Sequence, residues 1–245
     1  MDAREIEEMR RLEDRHWWFV GKRLLVGALL GDALTRPGAR ILDVGCGTGG
    51  VLAGLANGVR PFGVDRSTLA LAHCRARGLA AVACSSAGAL PFASRSFDVV
   101  LLLDVLEHFA DEQGLLAEIR RLVRAGGRVL VSVPAFQFLW SEHDVVLQHV
   151  RRYRAGQLRR VLEQARFTIE RLTYTNAVAF PPAVVVRGVL QRLGLMAGGG
   201  TDFREHGAFV NDSLVGVYRI EAAALARGLR VPVGLSVAAV VRVAG

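Results

Sequence analysis

The sequence is short of several things, and each shortage excludes something. It has three cysteines in 245 residues, seven prolines, 7% aromatic residues and, among 31 basic residues, a single lysine, Lys22. Cys46, Cys74 and Cys84 are odd in number and form no CxxC pair, so a disulfide scaffold is excluded and a structural zinc site has too few thiols. Reduced cytosolic thiols suit them best. No segment is of low complexity, and 51% hydrophobic against 22% charged residues rules out disorder as the main state. Charge-free runs such as 172–186 fall short of the roughly 18 apolar residues a membrane span needs, and that run contains Pro181 and Pro182. The start, Met1-Asp2-Ala3-Arg4-Glu5, reads as a charged helix and not as a signal peptide. What is present in excess is positive charge, +8 in total. It points to an anionic partner such as a phosphate-bearing substrate, a membrane surface or nucleic acid. A GC-rich genome would also produce an arginine bias, so charge alone does not choose.

Periodicity predicts a helix over 2–20 and another over 23–34, stopped by Thr35-Arg36-Pro37-Gly38. The rhythm then alternates. Strands are expected at 40–44, 61–65, 79–84, 97–103 and 128–133. Helices are expected from about Gly50, from a Ser67 cap to about Arg77, and over 111–124. The run 97–103, broken only by Asp98, suits a central strand buried on both faces. Beyond it come a long loop over 135–153, a helix over 154–166, a sixth strand near 167–174, and helices at about 181–196 and 209–228 around Gly198-Gly199-Gly200. A last strand closes the chain at 235–243. The expected fold is a doubly wound parallel α/β sheet with a helical insertion between its final two strands.

Asp43-Val44-Gly45-Cys46-Gly47-Thr48-Gly49-Gly50 falls where the first strand turns into a helix. Glycines there let backbone approach a ligand, and a helix N-terminus offers unpaired N–H groups. Asp65 ends the second strand, where a carboxylate can accept both hydroxyls of a ribose. Gly45, Gly47 and Gly50 also fit the GxGxxG spacing of nicotinamide enzymes, so the turn alone is weak evidence and an NAD(P)-dependent oxidoreductase stays open at this point. Asp43, at the strand end, can meet a cationic amino-acid ligand. The motif also lies about forty residues in, behind N-terminal helices.

With Asp104-Val105-Leu106-Glu107-His108 after the fourth strand and Gly126-Gly127-Arg128-Val129-Leu130-Val131 leading into the fifth, the set over 39–135 resembles the class I methyltransferases that use S-adenosylmethionine (SAM). His16-Trp17-Trp18-Phe19, Trp140-Ser141-Glu142-His143-Asp144, His149-Val150-Arg151-Arg152-Tyr153, Tyr174-Thr175-Asn176 and Pro232-Val233-Gly234-Leu235-Ser236 extend the likeness to a type 11-like subfamily. The resemblance implies a Rossmann-like seven-stranded sheet in a single domain, with a helical cap over 1–38, a SAM-binding core over 39–135 and a substrate side over 136–245. It implies SAM held by Asp43, Gly45, Cys46, Gly47, Asp65, Arg66, Ser86, Ala87 and Asp104. Ser86 stands where the family carries an acidic residue for the adenine amino group, and a neutral hydroxyl accepts more weakly.

Methyl transfer from a sulfonium rests on holding the nucleophile in line, worth on the order of 7–11 kcal/mol. A base is needed for a hydroxyl acceptor, and His143, His149 and Tyr153 are the candidates, since histidine titrates near neutral pH. Trp17, Trp18, His108, Asp144, Arg151 and Arg152 are candidate substrate contacts, the tryptophans as a lid that excludes water and the arginines as phosphate ligands. His143, Asp144 and His149 have metal-ligand chemistry, but no metal is expected. The expected acceptor is a small or lipid-linked molecule, anionic in character, methylated at oxygen, and no nucleic acid partner is expected. The amphipathic stretch 181–196, with Val185, Val186, Val189, Leu190, Leu193 and Met196 opposite Arg187 and Gln191, offers a peripheral contact to the inner face of a membrane for an otherwise cytoplasmic protein. The third reading is a non-enzymatic basic module at nucleic acid or membrane.

Overall fold

The structure, a computed structural model, describes residues 3–55, 58–190 and 207–243. Among these, seven strands form one sheet in the order β3-β2-β1-β4-β5-β7-β6. They are β1 Arg40–Val44, β2 Arg60–Asp65, β3 Val82–Cys84, β4 Phe97–Leu103, β5 Val123–Pro134, β6 Phe167–Thr175 and β7 Ser236–Val243. β1 to β5 pair in parallel, and β7 runs antiparallel between β5 and β6. An antiparallel strand can enter there because the chain returns to the sheet only after the long helical insertion that follows β6.

Side chains alternate across the sheet, and each face buries its own core. Leu42, Val44, Val100, Leu102, Val129 and Val131 pack on one side against Leu115, Leu116 and Ile119 of α5 (Glu112–Leu122) and against Leu158 and Leu162 of α7 (Ala155–Gln164). Ile41, Val99, Leu101 and Leu130 pack on the other against Val26 and Leu30 of α2 (Trp17–Leu30). This two-sided burial explains why β4 reads as a continuous apolar run.

The N-terminal helices divide elsewhere than periodicity predicts. α1 (Ala3–Leu12) stops early and α2 starts at Trp17, because His16 caps it by accepting a hydrogen bond from Trp18 N at 3.3 Å. The carbonyls freed at the break are taken by Arg23, which donates to Glu13 O (2.7 Å) and Asp14 O (3.2 Å). The other helices of the core are α3 (Gly50–Ala53) and α4 (Thr68–Ala76). α5 ends at Leu122, not in the glycines at 126–127, because pairing of Val123 with Phe97 already begins β5 there. The expected loop over 135–153 contains the helical turn α6 (Glu142–Val146), started by a capping box of Ser141 and Asp144. After β6, α8 (Phe180–Ala183) passes into a π-helical stretch at 184–190. Residues 191–196 of the expected helix, with Leu193 and Met196, and Gly198-Gly199-Gly200 lie outside the described residues, as do the side chains of 188–190. α9 (Ala208–Ala226) matches the expected helix at 209–228. No helix among the described residues is long and apolar enough to cross a membrane.

α9 locks the cap onto the insertion. Tyr218 is fully buried against α2, its ring 5.7 Å from that of Trp17, and Asn211 Oδ1 accepts from Trp17 N at 2.8 Å. The two helices approach at Gly21, where a Cβ would fall inside the Tyr218 ring. Gly21→Ala is therefore expected to destabilise the fold by about 1–3 kcal/mol through overpacking, read by denaturant unfolding. An unchanged midpoint would show that the helices have room to separate.

Candidate active site

The carboxyl ends of β1, β2 and β4 open into a cavity of about 1040 Å³ that also reaches the cap and the 134–149 segment. In open α/β sheets ligands bind at this edge. After β1 the chain turns through Gly45 (φ 76°) and Gly47 (φ 52°), conformations that side chains rarely adopt. A Cβ at Gly45 would also stand 2.7 Å from Val105 Cγ2. The turn lies open to the cavity, but the N-terminus of α3 does not serve a ligand as expected. Glu13 occupies it, accepting from Gly50 N (2.8 Å), from Thr48 Oγ1 and from Arg77 Nη2 (2.8 Å). This buried carboxylate ties the cap to the glycine turn. Sequence reasoning missed it, because nothing in a polar first helix distinguishes one glutamate from its neighbours.

Asp65 is fixed by backbone, Gly47 N donating to Oδ2 and Ser67 N to Oδ1, both at 2.9 Å. The carboxylate keeps lone pairs for a ribose at the cavity wall. Asp43 is 3% exposed. Burial pushes its carboxyl up to about 7; Asp65 and Glu13 push the same way, and Lys22 opposes them. Asp104 adopts a left-handed φ of 55°, a strained setting for a side chain. Its Oδ2 accepts from Lys22 Nζ at 2.6 Å and its Oδ1 from Ser132 Oγ at 3.3 Å. Lys22, the single lysine, was given no site role from the sequence; the α2 helix delivers it to this site. Cys46 and Arg66 line the cavity as expected. On the adenine side the lining is Ser85 and Ala87 rather than Ser86. Ser85 Oγ bonds Ser86 O and Ala89 O, so the loop turns with residues 85 and 87 inward.

These groups fit SAM by charge. Three neighbouring acids, one buried and near its titration point, face a ligand that carries an ammonium and a sulfonium. A cation beside Asp43 lowers its pKa. SAM binding is thus expected to release about half a proton per site at pH 7 and less at pH 8.5, where Asp43 is already ionised. Calorimetry in buffers of different ionisation enthalpy measures this, and proton uptake would contradict the assignment.

The far wall holds the remaining candidates, and the structure sorts them. Trp17, Trp18, His108, His143, His149 and Arg152 all line the cavity, as does Arg187. Asp144 does not. It is fully buried beneath them, accepting from Arg152 Nε (2.8 Å) and Nη2 (2.9 Å), Ser141 N (2.9 Å) and the His149 Nδ1–H (2.8 Å). These donors hold its carboxyl well below the usual range despite burial. It is an organiser and not a substrate contact. With its oxygens so used, the set His143, Asp144 and His149 has no free carboxylate for a metal. Tyr153 is also corrected: it is 2% exposed, packs in the core and donates its hydroxyl to Glu112. Burial raises that phenol's pKa, so it supplies no base. Arg151 pairs with Glu112 Oε2 (2.9 Å) and donates to Ala110 O (3.2 Å), outside the cavity. Burial, with Arg187 beside it, pulls His143 down to about 4, which makes it a weak proton acceptor. Glu107, which sequence reasoning quoted only as part of a motif, lines the cavity with a fully buried carboxyl. Burial, with Asp104 adding, holds its pKa well above the ordinary value.

Comparison with known proteins agrees with this geometry. Residues 42–131 match the family model of a methyltransferase domain. Over 165 residues the chain is 31% identical to a probable S-adenosylmethionine-dependent methyltransferase of Mycolicibacterium smegmatis, covering 65% of this chain and 62% of that protein. Over 113 residues it is 35% identical to the tRNA (carboxymethyluridine(34)-5-O)-methyltransferase alkbh8 of Xenopus tropicalis, covering 44% of this chain and 18% of that one. The chain therefore spans less than two thirds of the length of these relatives. A SAM-dependent methyltransferase structure from Archaeoglobus fulgidus shares the fold with a TM-score of 0.57 at 18% identity, over 98% of this chain and 100% of that one. The nicotinamide alternative fails on topology, since that fold continues in parallel past its fifth strand where this one inserts antiparallel β7. Residues 42–131 thus match a methyltransferase domain, and the chain is similar to S-adenosylmethionine-dependent methyltransferases.

Proposed function

We propose that the protein transfers the methyl group of SAM to a hydroxyl oxygen of a small or lipid-linked acceptor. The observation that carries this reading is one continuous cavity. It runs from the ribose and amino-acid anchors Asp65 and Asp43 to a second wall of His108, His149, Arg152 and Arg187. Its size, about 1040 Å³, lies just above the roughly 300–1,000 Å³ of ligand pockets, which suits two molecules side by side. Phe109, Leu147, Pro182, Ala183 and Val186 give the second half an apolar lining suited to a lipid or aromatic body. Two arginines in that wall suit an anionic group. A hydroxyl must lose its proton to become a good nucleophile, and the imidazoles of His108 and His149 are the groups placed for that.

The relative from Xenopus bears a name that specifies O-methylation of tRNA, and the basic charge of this chain makes nucleic acid the arm to test against. Incubation with methyl-labelled SAM and phosphorylated or lipid-linked hydroxy compounds is expected to give a methyl ether or ester identified by mass. Label appearing in tRNA, or on carbon or nitrogen of the small acceptors, would overturn the acceptor assignment while leaving the cofactor intact.

A further inference from the structure

Glu107 is 0% exposed, and neither carboxylate oxygen has a hydrogen-bond partner among the described residues. Buried polar groups in folded proteins are as a rule paired, so a carboxyl on a cavity wall with neither oxygen bonded asks for a ligand. His149 Nε2 stands 3.9 Å from Glu107 Oε1, too far for a hydrogen bond. The other ring nitrogen stands 2.8 Å from the Asp144 carboxylate, which Arg152 and Ser141 N also hold, so Asp144 anchors Nδ1 and leaves Nε2 on the Glu107 side for a ligand. The Glu107 carboxyl and the His149 ring thus stand side by side without a direct hydrogen bond. His108 completes the group: its ring lies 4.8 Å from that of His149 at 75°, and the Gln148 backbone engages one of its ring nitrogens. One ligand atom from each of Glu107, His108 and His149 lies within 4.8 Å of the others.

We propose that Glu107, His108 and His149 bind one divalent transition-metal cation at the wall of the cavity. Ligand atoms about 2.0–2.2 Å from an ion at tetrahedral or octahedral angles are roughly 3–3.5 Å apart, so small side-chain movements close the cluster onto it. Two imidazoles and one carboxylate select zinc, manganese or iron over magnesium and calcium, which take oxygen ligands. The Asp144–His149 hydrogen bond is the outer-shell partner that such histidines keep. The cavity-facing positions of the ion are left for an oxygen of the acceptor. There the ion would replace the free imidazoles as the means of activating a hydroxyl: it would make the hydroxyl more acidic, its proton would leave to solvent, the oxygen would attack the methyl carbon, and the C–S electron pair would stay on sulfur. That use rests on the proposed O-methyl transfer, whereas cation binding does not.

The test is calorimetric titration of Zn²⁺, and separately of Mn²⁺, into metal-stripped full-length protein without SAM, followed by anomalous diffraction at the metal edge. One saturable site per chain is expected, weakened at least tenfold in Glu107→Gln and in His108→Ala, with the anomalous peak between the three side chains. Asp144→Asn is expected to weaken binding about 10–100-fold without abolishing it. His108 is exposed, so its variant reports even if Glu107→Gln unfolds. No saturable binding by the wild type, equal binding by the variants, or a peak at the cysteines would overturn the proposal. Metal binding without methyl transfer to any hydroxyl would instead count against the acceptor assignment alone.

Discussion

Asp144→Ala is expected to lower the unfolding free energy by about 3–5 kcal/mol, the cost of leaving a buried charge without its partner. The orphan would be Arg152, whose guanidinium is buried and, among the described residues, otherwise bonds Ala135 O at 3.1 Å. The same carboxylate starts α6 through Ser141 N and orients His149, so the loss reaches the far wall of the cavity as well as the core. Denaturant unfolding measures the effect. The double variant Asp144→Leu with Arg152→Leu is expected to recover much of the loss, because removing both charges also removes the desolvation cost. A single-variant loss below about 1 kcal/mol would mean that water reaches the pair, as in exposed ion pairs.

The second large effect concerns cofactor affinity. Asp65→Ala is expected to weaken SAM, and its demethylated product, by at least tenfold and up to about 100-fold. That range corresponds to hydrogen bonds to a charged acceptor at about 1.5–3 kcal/mol in total. Because Asp65 also accepts from Gly47 N and Ser67 N, part of the loss would come from a loosened glycine turn. Asp65→Asn separates the two contributions, since its amide oxygen can still accept from one backbone N–H while the charge for the ribose is gone. Equal affinity of Asp65→Ala and wild type would remove Asp65 from the site.

The parallel core was legible because its signals are local. Apolar runs such as Val99–Leu102 have to be buried on both faces, and the turn at Gly45 and Gly47 needs backbone that glycine adopts readily. What escaped the sequence depends on distant partners. The break between α1 and α2 follows from His16 and Arg23 satisfying backbone groups that periodicity does not count. The start of α6 was readable from Ser141 and Asp144 three residues apart, a spacing passed over in a segment read as a loop. Glu13 and Lys22 enter the site from the cap, 37 and 82 residues from Gly50 and Asp104, and no spacing reveals that. Tyr153 and Arg151 looked like site residues because they stand beside two that are. Over 151–153 the side chains alternate: Arg152 reaches the cavity, and Arg151 and Tyr153 turn to Glu112.

The central claim is that the edge of the sheet at β1, β2 and β4 holds a sulfonium cofactor with its reactive end toward the histidine wall. A crystal structure of the complex with demethylated SAM tests it most directly. The account predicts ribose hydroxyls on Asp65, the ammonium against Asp43, adenine beside Ser85 and Ala87, and the thioether sulfur facing His108 and His149. Density for the ligand elsewhere, or in this cavity with the sulfur turned away from that wall, would contradict it.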